Sequence, residues 1–414
     1  MRIEVVNTGT ELLLGTVINT HAGYFGQELF KLGLRIQRQV TIPDGDDIRR
    51  ALEYAIPRAD VILVTGGLGP TSDDITREVV ADMLGRDLVL DEAIRDIIHG
   101  MFQGWGRKPD SSNDRQAMVP VGATVLENPN GTAPGLYFPA DPENNSPHIF
   151  LMPGPPRELK PMFQDQVFPQ LASLLEGSGS IDTWSNFRIY GIGESSIAGK
   201  LDPIFESNHA VEIGYCARLG EVDVRLIGQA DAIKAAEDVV REVFPHEIVA
   251  ESEESIEEVV VDLLDKRGQT MATAESCTGG EIVSTITNVP GSSNVLNRGY
   301  VTYANEAKVD MLGVAASLIE AHGAVSGPVA SAMAEGCLRE SGADHAIAVT
   351  GIAGPGGGSD EKPVGTVYVA LASQHSETYV KGYFKPTDRI SFKLRVTRLA
   401  LDLLRRRLLG FPLD

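Results

Sequence analysis

A short apolar run that breaks into a glycine- and hydroxyl-rich turn occurs at three separated places in this chain. Val61-Ile62-Leu63-Val64 enters Thr65-Gly66-Gly67-Leu68-Gly69-Pro70. Thr270 to Ala274 enters Glu275-Ser276-Cys277-Thr278-Gly279-Gly280, and His345 to Val349 enters Thr350-Gly351-Ile352-Ala353-Gly354-Pro355-Gly356-Gly357. Such runs suit strands buried in a mostly parallel sheet with helices on its faces, and these sheets hold ligands beyond the carboxyl ends of their strands. Fold and function are constrained together: an α/β chain whose chemistry sits in these loops.

The pattern around the first loop agrees. Ile3 to Val6 and Leu34 to Val40 read as strands, Asn19 to Lys31 and Asp46 to Ala55 as helices, with Tyr24, Phe25, Leu29 and Phe30 as candidate core positions. A looser stretch, Asn128 to Pro147, precedes the short strand Ile149 to Leu151 and the turn Pro153-Gly154-Pro155-Pro156. From Thr183 to Ala250 the character changes. Phe187 to Tyr190 and Val222 to Leu226 read as half-exposed strands, Asp231 to Val243 as a helix, and Gly191-Ile192-Gly193-Glu194 as a turn, the parts of a small α+β domain. Glu251-Ser252-Glu253-Glu254 marks a boundary, after which Ile256, Val259, Val260, Leu263 and Leu264 fall at helical spacing. Strands over Tyr300 to Tyr303, His345 to Val349 and Gly365 to Leu371 complete a third domain. Its last helix, Arg389 to Leu409, carries basic residues on one side.

With 414 residues the chain exceeds the usual size of one hydrophobic core. A net charge of -21 argues against nonspecific nucleic-acid binding, which needs clustered Lys and Arg, but not against a small phosphorylated ligand in one pocket. Cys216, Cys277 and Cys337 form no CxxC pair and suggest neither a disulfide framework nor a zinc knuckle. No apolar run approaches the roughly 20 residues of a bilayer span. The sequence also enters its first strand without an apolar leader. A cytoplasmic protein with no membrane partner is expected.

The chemistry of the first loop follows from its residue types. Gly66, Gly67 and Gly69 let backbone N–H groups approach a phosphate, Thr71 and Ser72 supply hydroxyls, and Asp73 and Asp74 can hold a hard divalent cation. In the third domain, Ser276 stands where a serine hydroxyl meets the unpaired N–H groups of a helix start, either as a nucleophile beside an oxyanion or phosphate site or as a helix cap. A serine nucleophile needs a base. No histidine falls inside these clusters, and strand rise puts His345 roughly 16 Å from the Thr350 loop. Lys308 can serve if desolvation keeps it partly neutral, and Tyr303, five residues earlier, can relay a proton or donate to an oxyanion. Arg389 suits a phosphate clamp, with Arg395 competing for the role.

These clusters resemble the CinA (competence/damage-inducible protein A) family along essentially the whole chain. The first loop is similar to that family's GGxGPTxDDxT motif. Thr8 to Gly15, Asn130 to Gly135 and Met152 to Glu158 match further motifs in order, while Asn19-Thr20-His21 departs from the family's Asn-Thr-Asn. The AESCTGG, VTYxNxxK and VTGIAGPGG motifs of the family's C-terminal domain, which also occurs as a stand-alone nicotinamide mononucleotide (NMN) deamidase, match at Ala274 to Gly280, Val301 to Lys308 and Val349 to Gly357.

The resemblance implies an α/β molybdopterin-binding-like parallel-sheet domain over residues 1–170, a KH-like α+β domain over 180–250 and an α/β amidohydrolase domain over 254–414. It implies hydrolysis of ADP-ribose in the first domain with a divalent metal, Mg or Co, at Asp74 with Asp73 and Glu11. Thr10, Asn19 and Arg157 join the first loop as substrate contacts. In the third domain it implies deamidation of NMN by Ser276 with Tyr303 and Lys308 as activating partners and no metal. Thr278, Gly279, Gly280, Thr350, Gly351, Gly354, Gly356 and Arg389 would bind substrate, and helix capping then falls on Thr278 rather than Ser276. A homodimer is implied as well. The middle segment lacks a basic GxxG clamp, so no RNA partner is expected. The rival readings are a binding or scaffolding protein of competence or damage response, and a first domain that binds molybdopterin.

Overall fold

A computed structural model describes residues 1–175, 183–206 and 210–413. The chain divides into two compact units, Met1–Ile181 and Asp182–Asp414. The segments read from sequence as a middle and a third domain share the second unit, each with its own sheet.

In the first unit β1 (Ile3–Thr8), β2 (Ile36–Ile42), β3 (Val61–Thr65) and, after the two-stranded pair β4 (Leu88–Leu90) and β5 (Met118–Pro120), the strands β6 (Thr124–Leu126), β7 (Gly135–Phe138) and β8 (His148–Met152) appear in turn. The main sheet has the order β2-β1-β3-β8-β7-β6. Its first four strands are parallel and its last two antiparallel. Alternate residues explain the continuous apolar runs: Val61 and Leu63 enter the core on one face with Phe25 and Leu29, Ile62 and Val64 the core on the other with Ile48 and Leu52. The helix expected over Asn19 to Lys31 spans His21–Phe30. Of its four candidate core residues only Phe25 and Leu29 are fully buried, while Tyr24 and Phe30 lie at the core's margin.

The second unit opens with an antiparallel sheet of β9 (Thr183–Tyr190), β10 (Val211–Ala217), β11 (Glu221–Gly228) and β12 (Ile248–Ala250), ordered β10-β11-β9-β12. The expectation of half-exposed strands is corrected here, because Phe187 to Tyr190 and Val222 to Val224 are buried. The polar positions are buried by pairing: Arg188 Nε donates to Asp223 at 2.8 Å, and its Nη1 donates to the carbonyls of Glu253 and Glu254. A buried guanidinium matched this way tolerates removal from water.

The remaining strands are β13 (Met271–Glu275), β14 (Leu296–Val301), β15 (His345–Gly351), β16 (Thr366–Ser373) and β17 (Ser376–Phe384), ordered β14-β13-β15-β16-β17. The first three are parallel. One face is built of alanine, with Ala272, Ala274, Ala346, Ala348, Ala370 and Ala372 packed with the helix Gly327–Ser341. The other carries Met271, Ile347, Val349 and Val367 among the helices Ile256–Arg267 and Arg389–Leu409. That last helix does not keep all its basic residues at the surface. Arg405 is fully buried, bonded to Asp402 at 2.7 Å and to the carbonyls of His246 and Ile248. Among the described residues no helix is long and apolar enough to cross a membrane.

Candidate functional sites

Strand register assembles the site in the second unit. Glu275 at the end of β13 pairs with Val349 on one side and Val301 on the other, so Ser276, Thr350 and Thr302 follow at one edge of the sheet. The chain leaves β13 toward β14 on one side and returns to β15 on the other, the arrangement that opens a crevice beyond the strand ends. A cavity of about 210 Å³ lies there, lined by Ser276, Cys277, Tyr303, Asn305, Lys308, Ala324, Val325, Thr350, Gly351, Ala353 and Arg389.

Lys308 is the centre of this cavity. It is 1% exposed, and its Nζ lies 3.3 Å from Ser276 Oγ. The carbonyls of Thr302 at 2.9 Å, Tyr303 at 3.3 Å and Ala304 at 3.4 Å hold the rest of its hydrogen-bonding sphere. Burial pushes the amine below its ordinary value, against weaker upward pulls from Cys277 and Glu306. Nζ stands as the donor to Ser276 Oγ, so Lys308 can take the serine proton only in its neutral form, with its single lone pair turned to Oγ and two N–H groups left for the three carbonyls. Cys277, 5% exposed, is no rival nucleophile, since burial pushes its thiol up to about 12. His345 is engaged at the far end of β15, 2.9 Å from Ser373 Oγ.

Three expectations change. The strand expected over Tyr300 to Tyr303 ends at Val301, because Thr302 makes one last bond to Glu275 O and Ala304 then starts the helix Asn305–Leu312. Tyr303, 61% exposed, lines the cavity, offers Lys308 its carbonyl, and accepts at its hydroxyl from Arg389 at 3.2 Å. Second, the start of the helix Glu281–Thr287 is not an open anion site. The buried Glu275 carboxylate accepts the N–H groups of Gly280, Ile282 and Val283 at 2.9–3.1 Å, and Ser276 N–H is spent on Val349 O. Third, Thr278 is not the cap. It is fully buried, its hydroxyl lacks a partner, and with Gly279 and Gly280 it stays off the cavity wall.

Of the other candidates, Thr350 is 1% exposed and donates to Ala324 O at 2.8 Å, and Gly351 lines the cavity beside it. Gly354 stands outside the wall but supplies the carbonyl that receives Arg389 Nη1 at 2.8 Å, and Gly356 is exposed beyond it. Arg395 lines a different cavity, with Arg218 and Lys385, which leaves Arg389 as the guanidinium at the serine site. Sequence reasoning passed over Glu275, Asn305 and the Ala324–Val325 pair. Glu275 was readable only as a carboxylate buried at a strand end.

The first unit repeats the design. β1 lies between β2 and β3, and a cavity of about 580 Å³ opens beyond the ends of β1, β3 and β8. Gly66, Gly67, Gly69, Asp73, Asp74, Glu11, Asn130, Gly131 and Arg157 line it together, so the separated motifs converge. Gly67 takes a left-handed φ of 67°, and a Cβ on it would collide with the Thr76 hydroxyl. A Cβ on Gly69 would strike the Asp74 carboxylate. Thr71 and Ser72 stand outside the wall, and Thr71 N–H and hydroxyl both clamp Asp74 Oδ2. The Thr71 hydroxyl also draws the exposed Asp73 carboxyl below its ordinary value. Thr10 is not on the wall but donates from its N–H and hydroxyl to Asp44, which is, and the Asn19 side-chain oxygen accepts from His21 N–H at the start of a helix. His21 is buried with its Nδ1 3.3 Å from Thr65 Oγ1, and burial pushes it below its ordinary value.

Among the described residues no three His, Cys, Asp or Glu side chains converge as a metal cage. Asp74, Asp73 and Glu11 therefore line one cavity without forming a three-carboxylate cage; a magnesium-type ion, which keeps waters and takes one or two carboxylates plus phosphate oxygens, would need no more than two of them.

Three family models match the chain. The family model for the CinA C-terminal domain matches residues 253–408, that for the "Probable molybdopterin binding domain" residues 4–173, and that for the damage-inducible protein CinA KH domain residues 185–246. A CinA-like protein of Akkermansia muciniphila is 47% identical over 97% of this chain and 96% of its own length. One of Kosmotoga olearia is 40% identical over 99% of each. The crystal structure of a competence/damage inducible protein from Agrobacterium tumefaciens is 42% identical with a TM-score of 0.36, covering 37% of this chain and 96% of that one.

Proposed function

The chain belongs to the CinA family, and on that premise we propose that it is a two-site hydrolase of pyridine-nucleotide salvage, deamidating NMN in its second unit and cleaving ADP-ribose in its first. The observation that carries the first half is the buried Lys308 amine 3.3 Å from Ser276 Oγ, in a cavity that Arg389 also lines.

The reaction is acyl transfer. Neutral Lys308 takes the Ser276 proton as Oγ attacks the carboxamide carbon, and the resulting ammonium returns that proton to the departing nitrogen. Breaking the C–N bond releases ammonia and leaves a nicotinoyl ester on Ser276. Water, deprotonated by Lys308, then cleaves the ester, the proton returns to Oγ, and nicotinate mononucleotide leaves. Arg389, held by Gly354 O and the Tyr303 hydroxyl on the cavity wall, is the group we assign to the substrate phosphate. No step uses a metal. Incubation with NMN in the presence of a chelator should therefore release one ammonia per nicotinate mononucleotide formed, and absence of release sinks this half.

In the first unit the glycine loop would cradle the pyrophosphate, and a divalent ion at Asp74 and Asp73 would neutralise its charge when bound. Asp74 is held for that task by Thr71 and by the missing side chain at Gly69. Asp74→Ala is expected to reduce ADP-ribose hydrolysis about 100-fold or more, in line with loss of metal-borne charge stabilisation. Full hydrolysis by that variant removes the metal assignment. The second reading for this cavity is a pterin phosphate, favoured by the family model over residues 4–173.

A further inference from the structure

We propose that Trp105 is the stacking platform for the planar heteroaromatic ring of the ligand whose phosphates lie along the Gly66–Gly69 loop. The inference deepens the reading of this cavity as a nucleotide site and assigns the wall opposite in character to the glycine loop. The helix Glu92–Gly104 ends at Trp105, where Gly106 takes a left-handed φ of 67° and Arg107 N–H returns to Phe102 O at 2.9 Å. That reversal brings Phe102, Trp105 and Arg107 onto the same cavity as the phosphate-type loop.

Trp105 is 55% exposed, although a large indole gains from burial and is seldom left half in water without a partner. Its ring contact with Phe102 is edge-on, with centroids 5.4 Å apart at 66°, which fixes the indole while covering at most one of its faces. Gln116, 1% exposed, lines the same cavity; its Oε1 accepts from Asn113 Nδ2 at 3.3 Å, and its amide NH2 is the donor suited to a ring edge. A glycine loop for phosphate, an aromatic face and a buried amide match a nucleotide or a pterin phosphate, which share a flat nitrogen heterocycle joined to phosphate.

The chain has two tryptophans, so full-length protein carrying Trp184→Phe reports on Trp105 alone by fluorescence. AMP, ADP-ribose or neopterin phosphate should quench it, and ribose 5-phosphate should not. Trp105→Ala should weaken ADP-ribose binding about 5- to 100-fold by calorimetry, with Trp105→Phe restoring most of the loss and an unchanged melting temperature. Ribose 5-phosphate affinity should stay at the wild-type level. Quenching by neopterin phosphate but not AMP supports the platform and assigns the pterin. Quenching by AMP without ADP-ribose hydrolysis supports the platform and removes the hydrolase reading. Hydrolysis with an unchanged KM in Trp105→Ala, or equal quenching by ribose 5-phosphate, overturns the platform and leaves the hydrolase reading standing.

Discussion

Lys308→Met is expected to lower kcat/KM for NMN deamidation about 10²- to 10⁴-fold, the range for loss of a general base. The side chain is buried, so methionine fills much of its volume without stranding a charge, but the carbonyls of Thr302, Tyr303 and Ala304 lose their donor, and the rate is therefore read beside the melting temperature of the variant. The sign of the pH dependence follows from the same burial. The amine accepts the Ser276 proton only when neutral, and desolvation holds its pKa below the ordinary lysine value. Activity should rise with pH through that lowered value and level off above it. Lys308→Arg should fail equally, because a guanidinium stays protonated. An ammonia-release profile across pH checks this, and the same rise with pH on the acidic limb in Lys308→Met would assign the base elsewhere.

Glu275→Ala should cost about 3 kcal/mol or more of folding stability, because three backbone N–H groups lose their acceptor at once. Glu275→Gln keeps one acceptor oxygen and should lose about 1 kcal/mol. The effect reaches function through a single bond in the chain, since Ser276 follows Glu275 directly and the turn at Gly279–Gly280 folds the helix start back onto that carboxylate. Urea denaturation measures the change as a lower midpoint at unchanged slope. A loss within about 0.5 kcal/mol, typical of surface substitutions, would contradict the capping role.

The parallel sheets were legible because β3, β13 and β15 are apolar on both faces and each runs into glycine. Residue identity then located Ser276, Lys308, Asp74 and their loops, and strand register explains why such distant segments meet. The helix cap was not legible. Capping patterns look one to three residues ahead of a helix, whereas Glu275 reaches back from five residues before Gly280 through a turn. The backbone of Tyr303 was not legible either: its residue type points to the hydroxyl, which Arg389 binds, while its carbonyl accepts from Lys308. The buried faces of β9 and β11 were hidden by Arg188 and Asp223, which look like solvent residues until they are seen to pair with each other. Trp105 carried no periodicity signal at all, since its place on a cavity wall depends on the reversal at Gly106.

If Ser276 is the nucleophile of an amidase, its removal abolishes the release of ammonia. Ammonia release from NMN by the purified full-length protein, measured beside its Ser276→Ala variant, tests it most directly. Wild type should release ammonia and the variant should fall by about 10³-fold or more, as removal of a catalytic serine does elsewhere. No ammonia from wild type, or equal release from both proteins, would contradict it.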